Sequence, residues 1–427
     1  MSSSPPIAGH THATAPTAVV VDGYSAGNFY PAAFAAAGAR VVHVQSTPEL
    51  IPTMLAPDLT AYAENVICSD EAELVELLRR YDPAAVVPGQ ESSVRLADRL
   101  SAALDVKSNG VALSRARRDK FEMIETLRRA GVRCVEQFKS GDAALVVKWA
   151  EQQGEWPVVV KPVDSAGSDN VFVCRNAAEA RAAAETVLSG HNLFGSRNDE
   201  VLAQAYLEGT EYIVDTVSAD GHRYVCGVWR YEKQLLPSGR NIYDRDVLTA
   251  PDEAPVPALV AYTDEVLDAL GVRWGPAHAE VIVTDRGPVL VEIATRLNGN
   301  LNPAFHDLCI GHNQAGLTAR AYLDPEGFAQ EYGGRVYRRR QPAYTYNAST
   351  SLDGVVQEVN RQVVAEIDAL PSTVVTGVKY APGARIRPTT DLMTAALRIH
   401  LTSPDDGQLA ADYERARLLK DSVYRVG

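Results

Sequence analysis

Two strand-like runs near residue 280 place two carboxylates where they can meet. Residues 275–283 form an apolar run that contains Glu280, and residues 289–293 form a second one that contains Glu292. The Asp-Arg-Gly-Pro segment at 285–288 is typical of a short turn, so we predict an antiparallel hairpin. Mg²⁺ prefers hard oxygen ligands and is usually held by one or two carboxylates together with substrate phosphates. The hairpin is thus either a magnesium site or a solvated sheet face, and the rest of the chain decides between them.

Composition limits the class of protein. With 427 residues the chain is long enough for two or three domains, and its apolar and charged contents are ordinary for a globular protein. The net charge of −13 argues against a nucleic-acid partner. Five scattered cysteines without a Cys-x-x-Cys pair indicate a reducing compartment. No apolar run is long enough for a membrane span, so we expect a cytoplasmic protein with a disordered tail at 1–17.

The first hundred residues alternate strand and helix patterns. Strands are predicted near 17–22, 40–44, 65–68 and 84–88, and an amphipathic helix over 70–80. This alternation is typical of a doubly wound parallel sheet, in which ligands bind at the carboxyl ends of the strands.

Two loops leave that edge of the predicted sheet. The first, at 22–28, carries Tyr24 and Ser25 as candidate substrate contacts. The second, at 89–93, carries Glu91, which either binds a substrate ammonium group or simply begins a helix. Both interpretations of Glu91 remain open.

A phosphate-binding pattern follows in the middle of the chain. The apolar strand 158–162 ends in Lys161, and a small-residue segment follows it, made of Ser165, Ala166, Gly167 and Ser168. Small residues let backbone N–H groups approach phosphate oxygens, and a lysine at a strand end supplies a fixed positive charge. Lys120 lies near a predicted helix start, where a bound phosphate would offset its repulsion from the helix dipole. The P-loop and Gly-x-Gly-x-x-Gly patterns are both absent from the sequence.

Later segments have less regular patterns. We predict helices over 115–130 and 262–270, and a mobile polar loop over 230–248 between them. After residue 340 we predict short strands and then a final helix near 408–420.

These motifs, in this order, resemble the ATP-grasp superfamily. Lys120, the strand and small-residue loop after it, the segment 201–211 and the carboxylate hairpin with Arg296 are similar to those of carboxylate–amine ligases, and in layout to bacterial L-amino-acid (dipeptide) ligases. The resemblance implies an α/β protein with an N-terminal doubly wound parallel sheet and an ATP-grasp domain of two α+β subdomains that clasp ATP. A C-terminal lobe completes the expected fold.

The resemblance also implies domain boundaries. The tail at 1–17 precedes a Rossmann-like domain at 18–113. The small ATP-grasp subdomain spans 114–200, the large one 201–345, and the C-terminal lobe 346–427.

Carried over to this chain, the resemblance assigns roles around the nucleotide. Lys120 and Lys161 bind the α- and β-phosphates, and residues 165–168 close over them as a lid. Gln204, Ala205 and Leu207 line the adenine pocket.

It further assigns the polar groups around the ribose and the reacting phosphate. Glu211 accepts hydrogen bonds from the ribose hydroxyls and Lys233 reaches the γ-phosphate. Glu280 and Glu292 hold Mg²⁺, with Mn²⁺ as an alternative, and Arg296 binds the acyl phosphate. His278, two residues before Glu280, is either a substrate or metal contact or a packed neighbour of the site.

Some positions depart from the family pattern. Ala294 stands where many members carry asparagine, so the second metal uses Glu292 in bidentate mode or recruits Asn298. Gln204 stands where glutamate is frequent.

The expected reaction is ADP-forming ligation of an amino acid or similar carboxylate to an amine through an acyl phosphate, in peptide or specialised-metabolite biosynthesis. The expected partners are small-molecule substrates, with a homodimer implied by the resemblance alone. Alternatives are a carrier-protein thiol or a ribonucleotide amine as acceptor, and a non-catalytic ATP-binding protein.

Overall fold

The computed structural model describes residues 15–51, 54–164, 170–191, 197–235 and 241–427. Among these residues, no helix is long and apolar enough to cross a bilayer.

The first sheet is parallel, as predicted. It and its helices comprise β1 (Thr17–Val21), α1 (Tyr30–Ala36), β2 (Arg40–Gln45), β3 (Glu64–Ile67), α2 (Glu71–Arg79), β4 (Pro83–Pro88) and α3 (Val94–Ala103). The strands lie in the order β3-β2-β1-β4. Alternate residues of β1 enter two separate cores, with Val20 in one and Val19 in the other. Because helices cover both faces, strands β1 and β4 are almost entirely apolar.

The second sheet is antiparallel. It is formed with α4 (Lys120–Arg129), β5 (Gln137–Ser140), α5 (Ala143–Gln153), β6 (Val158–Pro162), β7 (Phe172–Cys174), α6 (Ala177–Ser189) and β8 (Val201–Ala205). The strand order is β5-β8-β6-β7. Val158 and Val160 pack into a core with residues of α5 and α6. Strand alternation therefore turns Val159 and Lys161 to the opposite face, which borders the cleft described below.

The third sheet is the largest and holds the predicted hairpin. Its first part comprises β9 (Thr210–Ala219), β10 (His222–Leu235), β11 (Asn241–Leu248), α7 (Val256–Ala269), β12 (Gly275–Thr284) and β13 (Gly287–Ala294). Three helices follow, α8 (Pro303–Cys309), α9 (Gln314–Leu323) and α10 (Pro325–Tyr332). Ala279 and Val281 belong to the core under this sheet, so Glu280 between them faces the other way.

The chain then adds further strands to the same sheet. The remaining elements are β14 (Arg335–Val336), β15 (Ala343–Ala348), β16 (Gly354–Val359), α11 (Arg361–Asp368), β17 (Thr373–Val378), β18 (Arg385–Ile386), β19 (Leu397–Thr402), α12 (Asp406–Leu419) and β20 (Tyr424–Val426). The large sheet runs β13-β12-β9-β10-β11-β15-β19-β17, with β14 beside β10, and β18-β16-β20 form a small separate sheet. The expected boundary between 345 and 346 falls inside β15, so the large sheet continues across it.

The prediction of an irregular loop over 230–248 is wrong. The segment is an antiparallel hairpin of β10 and β11, whose tip at 236–240 lies outside the described residues. It is polar because both faces carry charge. Glu232 accepts from Arg230 and Arg245 on one face, and Lys233 points to the other. Alternating charged residues concealed the period of two on which strand prediction relies.

The predicted helix over 115–130 begins later, at Lys120. The Asp119 carboxylate accepts hydrogen bonds from the backbone N–H groups of Phe121 (2.9 Å) and Glu122 (3.0 Å), so it caps the helix. The cap fixes Lys120 at the first helical position.

A buried ion pair joins the first sheet to the large one. Arg117 is completely buried and donates to Asp98 on α3 at 2.9 Å and to the carbonyl of Leu270 after α7 at 3.1 Å. Ser114 also donates to Asp98, at 2.6 Å. A buried carboxylate left without its cation is strongly destabilising.

We therefore expect Arg117→Met to lower the free energy of unfolding by about 3–5 kcal/mol. Arg115→Met, at an exposed pair with Asp119, should change it by less than about 1 kcal/mol. Urea unfolding followed by circular dichroism measures both variants. If Arg117→Met and Arg115→Met unfold with equal free energies, Arg117 does not hold the first sheet and the large sheet together.

Candidate active site

A cleft of about 430 Å³ separates the second sheet from the large sheet. This volume lies within the usual range of small-molecule sites. The cleft is lined by Lys120, Val159, Lys161, Pro162, Val171, Val173, Gln204, Ala205, Tyr206, Leu207, Gly209, Thr210, Glu211, Tyr231, Lys233, Tyr243, Glu280, Ile282, Val291 and Glu292. Of the expected nucleotide- and metal-binding residues that are described, all except Asn298 line it. Residues 165–168, the expected lid, lie outside the described residues.

The carboxylate hairpin is confirmed. Glu280 on β12 pairs in register with Glu292 on β13, so the two side chains emerge side by side on the cleft face. Residues in direct register have Cβ atoms about 4.5–5.5 Å apart. Two like charges this close repel unless a cation lies between or beside them.

Lysines face this pair. The Lys120 ammonium lies 2.7 Å from a Glu292 oxygen. Burial raises the pKa of Glu292, but Lys120, Lys161 and Arg296 outweigh it and bring the pKa to about 2. Glu292 is therefore ionised at any physiological pH and available to a cation.

Lys161 is 5% exposed at the end of β6. Burial and then the neighbouring Lys120 lower its pKa to about 8, against the attraction of Glu292, Glu280 and Glu211. In the described part of the chain Lys161 forms no direct ion pair, and a buried lysine in that position favours a site that receives an anion.

Glu211 and Lys233 form a second charged pair in the cleft. The Lys233 ammonium lies 2.6 Å from the Glu211 carboxylate and 4.8 Å from the centre of the Tyr243 ring. Tyr243 also donates to Glu211, at 3.1 Å. Burial raises the pKa of Glu211 in spite of Lys233. The two residues assigned to the ribose and the γ-phosphate thus bind each other in this structure.

The other end of the cleft is apolar. Val159 on the second sheet and Ile282 on the large sheet contribute opposite walls. Residues 204–207, at the end of β8 and just beyond it, lead from the second sheet to the large one. Gln204 is buried and its amide donates to Gln137 at 3.1 Å. Such a slot, with backbone groups along one edge, suits a planar base.

Arg296 lies where the first sheet meets the hairpin. Its Nε donates to Glu91 at 3.0 Å, and Arg118 lies 3.8 Å from the other Glu91 oxygen. Glu91 also begins a short 3₁₀ turn that Gln90 caps, so the helix-start interpretation of Glu91 is confirmed. An ammonium-binding role for Glu91 stays a prediction.

His278 is a buried neighbour of the carboxylate pair. It lies 2.8 Å from Asp215 and 3.6 Å from Glu280. Burial lowers its pKa, but both carboxylates outweigh this and raise the pKa to about 9. His278 therefore carries a positive charge beside Glu280 at neutral pH.

Asn298 is oriented away from the role expected for it. Its amide donates to Asp215 at 2.8 Å, and its oxygen accepts the backbone N–H of Asn300 at 2.7 Å. Both ends of the carboxamide are thus used within the turn that follows β13, and a metal contact would require this network to open.

Tyr24 and Ser25 are not brought to the cleft. Tyr24 is completely buried, and its hydroxyl accepts the backbone N–H of Ile51 at 3.1 Å. Ser25 has a positive φ of 52° in the turn after β1 and donates its N–H to the Leu55 carbonyl at 2.9 Å. A substrate contact by Tyr24 is wrong for this conformation, because packing leaves no exposed surface on that side chain.

The sequence interpretation missed Tyr231 and Tyr243. Both line the cleft, and the Tyr231 hydroxyl donates to Glu280 at 3.4 Å. It also missed Asp246, which is buried beside Tyr231, where burial raises its pKa to about 7. Assigning 230–248 as strands would have placed Tyr231 and Lys233 on one sheet face. Tyr243 and Asp246 are three residues apart, so they join that face together only through the register shift at Glu232/Lys233.

Comparison with known proteins agrees with this geometry. A model of the ATP-grasp domain matches residues 154–303. The chain is 35% identical over 421 residues to dapdiamide A synthase of Enterobacter agglomerans, covering 96% of this chain and 94% of that one. The chain belongs to the ATP-grasp ligases.

Solved structures share the fold of this ATP-grasp ligase. An L-amino acid ligase from Bacillus licheniformis superimposes with a TM-score of 0.74 at 17% identity, over 96% of this chain and 98% of that one. The biotin carboxylase domain of the Hydrogenobacter thermophilus 2-oxoglutarate carboxylase, in complex with MgADP, gives 0.66 at 15% identity, over 97% and 91% of the two chains. The expected combination of a parallel N-terminal sheet and an ATP-grasp fold is confirmed.

The pKa of Lys161 predicts how nucleotide affinity depends on pH. An anion bound at Lys161 raises that pKa, so affinity should be constant below pH 8 and fall as pH rises above about 8, where the unliganded lysine loses its proton. Lys161→Met should lower affinity by roughly tenfold to a hundredfold and remove this dependence.

Lys161→Arg is the matched control, because arginine stays charged over this range. Titration calorimetry with a non-hydrolysable ATP analogue from pH 7 to about pH 9.5 measures the affinity. If the nucleotide affinity of Lys161→Met falls above pH 8 as steeply as that of the wild type, Lys161 is not part of the phosphate site.

Proposed function

We propose that this protein is an ADP-forming carboxylate–amine ligase whose active site is the cleft between the second and the large sheet. One observation carries the proposal: Lys120 and Lys161 face Glu280 and Glu292 across a cleft that has an apolar slot at its other end. Cations for phosphates, oxygen ligands for a metal and a slot for a base are the three parts that a Mg·ATP site requires.

The nucleotide would lie along the cleft. Adenine enters the slot between Val159 and Ile282, beside Gln204, Ala205 and Leu207. Glu211 accepts from the ribose once Lys233 turns from it to the γ-phosphate. Lys120 and Lys161 bind the α- and β-phosphates.

Glu280 and Glu292 fit a magnesium ion. They are adjacent in register on the cleft face, and Glu292 is ionised throughout the physiological range. The described residues contain no cluster of three or more His, Cys, Asp or Glu side chains suited to a metal, so phosphate oxygens and water would complete the shell. When bound, the metal would neutralise the developing phosphate charge, and Mn²⁺ would serve as a substitute. Glu292 would then contact the metal in place of Lys120, and Lys120 would be available to bind phosphate.

The protein residues would position two successive reactions. In the first, a substrate carboxylate oxygen attacks the γ-phosphorus, the bond to the β-phosphate oxygen breaks, and ADP leaves. In the second, an amine attacks the acyl carbon, the carbon–oxygen bond to phosphate breaks, and phosphate leaves with that electron pair while the nitrogen loses its proton. Arg296 binds the acyl phosphate and the oxyanion that forms on attack. Lys233 holds the γ-phosphate in line.

Relatives named as an L-amino acid ligase and dapdiamide A synthase favour small-molecule substrates, so we extend amino-acid-derived substrates to this chain. A carrier-protein acceptor, a homodimer and the domain boundaries given above remain proposals. A non-catalytic ATP-binding protein is disfavoured by Arg296 beside the carboxylate pair, since binding alone does not need a group for the acyl phosphate.

Replacing one metal carboxylate should abolish turnover. Glu292→Gln is expected to lower kcat by roughly 10²-fold or more, because the metal loses a charged ligand. Glu326→Gln, on the exposed start of α10, is the control and should keep wild-type activity. Coupled ADP release measures activity, and circular dichroism checks the fold. Wild-type turnover in Glu292→Gln would reject the metal assignment.

The products distinguish this reaction from adenylation. With Mg·ATP and a panel of amino-acid pairs, ADP and phosphate should appear in equal amounts with the amide product, because only the γ-phosphoryl group is transferred. Chromatographic separation of the nucleotides decides the outcome. Release of AMP and pyrophosphate would overturn the proposal, and ATP binding without hydrolysis across the panel would favour the non-catalytic alternative.

A further inference from the structure

A second polar group lies on the cleft face of the large sheet, beyond the metal carboxylates. Tyr231 on β10 is in register with Asp246 on β11, and Asp246 with Thr345 on β15. Asn347, two residues along β15, is in register with Arg398 on β19. Register and alternation therefore place Asp246, Asn347 and Arg398 on one face with Tyr231, whose hydroxyl contacts Glu280.

Two buried atoms of this group have no hydrogen-bond partner within the described ranges. Asp246 is 2% exposed, and its Oδ2 accepts from Asn300 at 2.8 Å, but its Oδ1 has no hydrogen-bond partner among the described residues. Asn347 is 1% exposed, and its Nδ2 likewise has none. Each buried polar group without a partner costs about 1–3 kcal/mol unless a ligand or water binds it.

The two oppositely charged side chains of this group, Asp246 and Arg398, contact other residues and not each other in the described part of the chain. Arg398 donates to Asn347 Oδ1 and to the carbonyl of Gly299, both at 3.2 Å, and Asp246 is held by Asn300. Among the described residues, Asp246 and Arg398 form no ion pair with each other, although they attract electrostatically. They lie two strands apart, about 10 Å along the sheet, with Asn347 between them.

We propose that Asp246, Asn347 and Arg398 bind the amine substrate as a free α-amino acid. Its ammonium group lies on Asp246 Oδ1 and its carboxylate on Asn347 Nδ2 and the guanidinium of Arg398. Arg398 is partly exposed and lies beside the exposed Gly299. The ligand therefore enters from that side, when the arginine moves away from the Gly299 carbonyl. This inference rests on the proposed ligase function and specifies its acceptor.

The position of the group on the sheet gives the ligand its direction. Arg398 lies five strands from Glu280, about 24 Å along the sheet, whereas Asp246 lies three strands away, about 14 Å. One carbon joins the ammonium and carboxylate groups of an α-amino acid, so the strand spacing fixes the order of the two groups along the sheet and not their separate distances to the metal carboxylates. The nitrogen end points towards the metal carboxylates, as required of a nucleophile that attacks the acyl carbon once the ammonium group has lost a proton.

The chemistry of the group separates this acceptor from the alternatives. A carrier-protein thiol or a ribonucleotide amine has no α-carboxylate beside its nucleophile, so it would leave Asn347 and Arg398 unsatisfied. A site that hydrogen-bonds a substrate group discriminates strongly against analogues that lack it.

The test compares free amino acids with their C-terminal amides. Hydroxylamine, which traps an acyl phosphate as a hydroxamate, first identifies the activated member of a productive amino-acid pair, and the other member is the amine substrate. We expect wild-type kcat/KM to be about tenfold or more higher for the amine substrate as free acid than as amide. Arg398→Met should bring this ratio close to one by lowering only the value for the free acid.

Asn347→Asp places a carboxylate against the ligand carboxylate and should lower the same ratio, which keeps the test valid if Arg398→Met does not fold. Arg425→Met removes an exposed arginine of the same C-terminal region, paired with Glu358, and should leave the ratio unchanged. A wild-type enzyme that uses acid and amide equally well, or a ratio unaffected in both site variants, would overturn this inference. Absence of hydroxamate with every acid would instead count against the proposed function itself.

Discussion

Two ammonium groups and two carboxylates face each other across the cleft, and the remaining features of the site depend on this arrangement. Lys161 is nearly inaccessible to water, and its pKa is lowered to about 8, so its charge is maintained at a cost. Glu280 and Glu292 are adjacent like charges. The cluster is balanced only in part by the contact of Lys120 with Glu292. A polyphosphate with its metal would supply the missing anions to the lysines and the missing cation to the carboxylates.

The large sheet organises this site and extends it. Its cleft face carries the metal carboxylates on β12 and β13, Lys233 and Tyr231 on β10, and Asp246 on β11. Strands from the C-terminal part then add Asn347 and Arg398 to the same face. One continuous sheet thus presents the groups for the nucleotide and those proposed for the amine side by side. Arg296, bound to Glu91, connects this face to the parallel sheet.

Much of this could be predicted from sequence, because the decisive patterns were local. Glu280 and Glu292 lie within apolar runs joined by a turn, so strand alternation alone predicted their meeting. Lys161 was recognisable as a charge at the end of a buried strand. Strand–helix alternation predicted the parallel sheet before any contact was known.

What could not be predicted depends on contacts between distant segments. The hairpin of β10 and β11 was mistaken for a loop because charged pairs such as Glu232 with Arg245 fill its second face. This error concealed Tyr231, Tyr243 and Asp246. The family resemblance made Asn298 an alternative metal ligand, yet Asp215, more than eighty positions earlier in the chain, holds its amide. The burial of Tyr24 likewise follows from packing that no local pattern encodes.

The transfer of oxygen from substrate to phosphate tests the central claim most directly. If the cleft activates a carboxylate by phosphorylation, a substrate labelled with ¹⁸O in its carboxylate should give inorganic phosphate that carries one labelled oxygen, measured by ³¹P NMR isotope shift. Phosphate without label, formed while the amide product accumulates, would contradict the account.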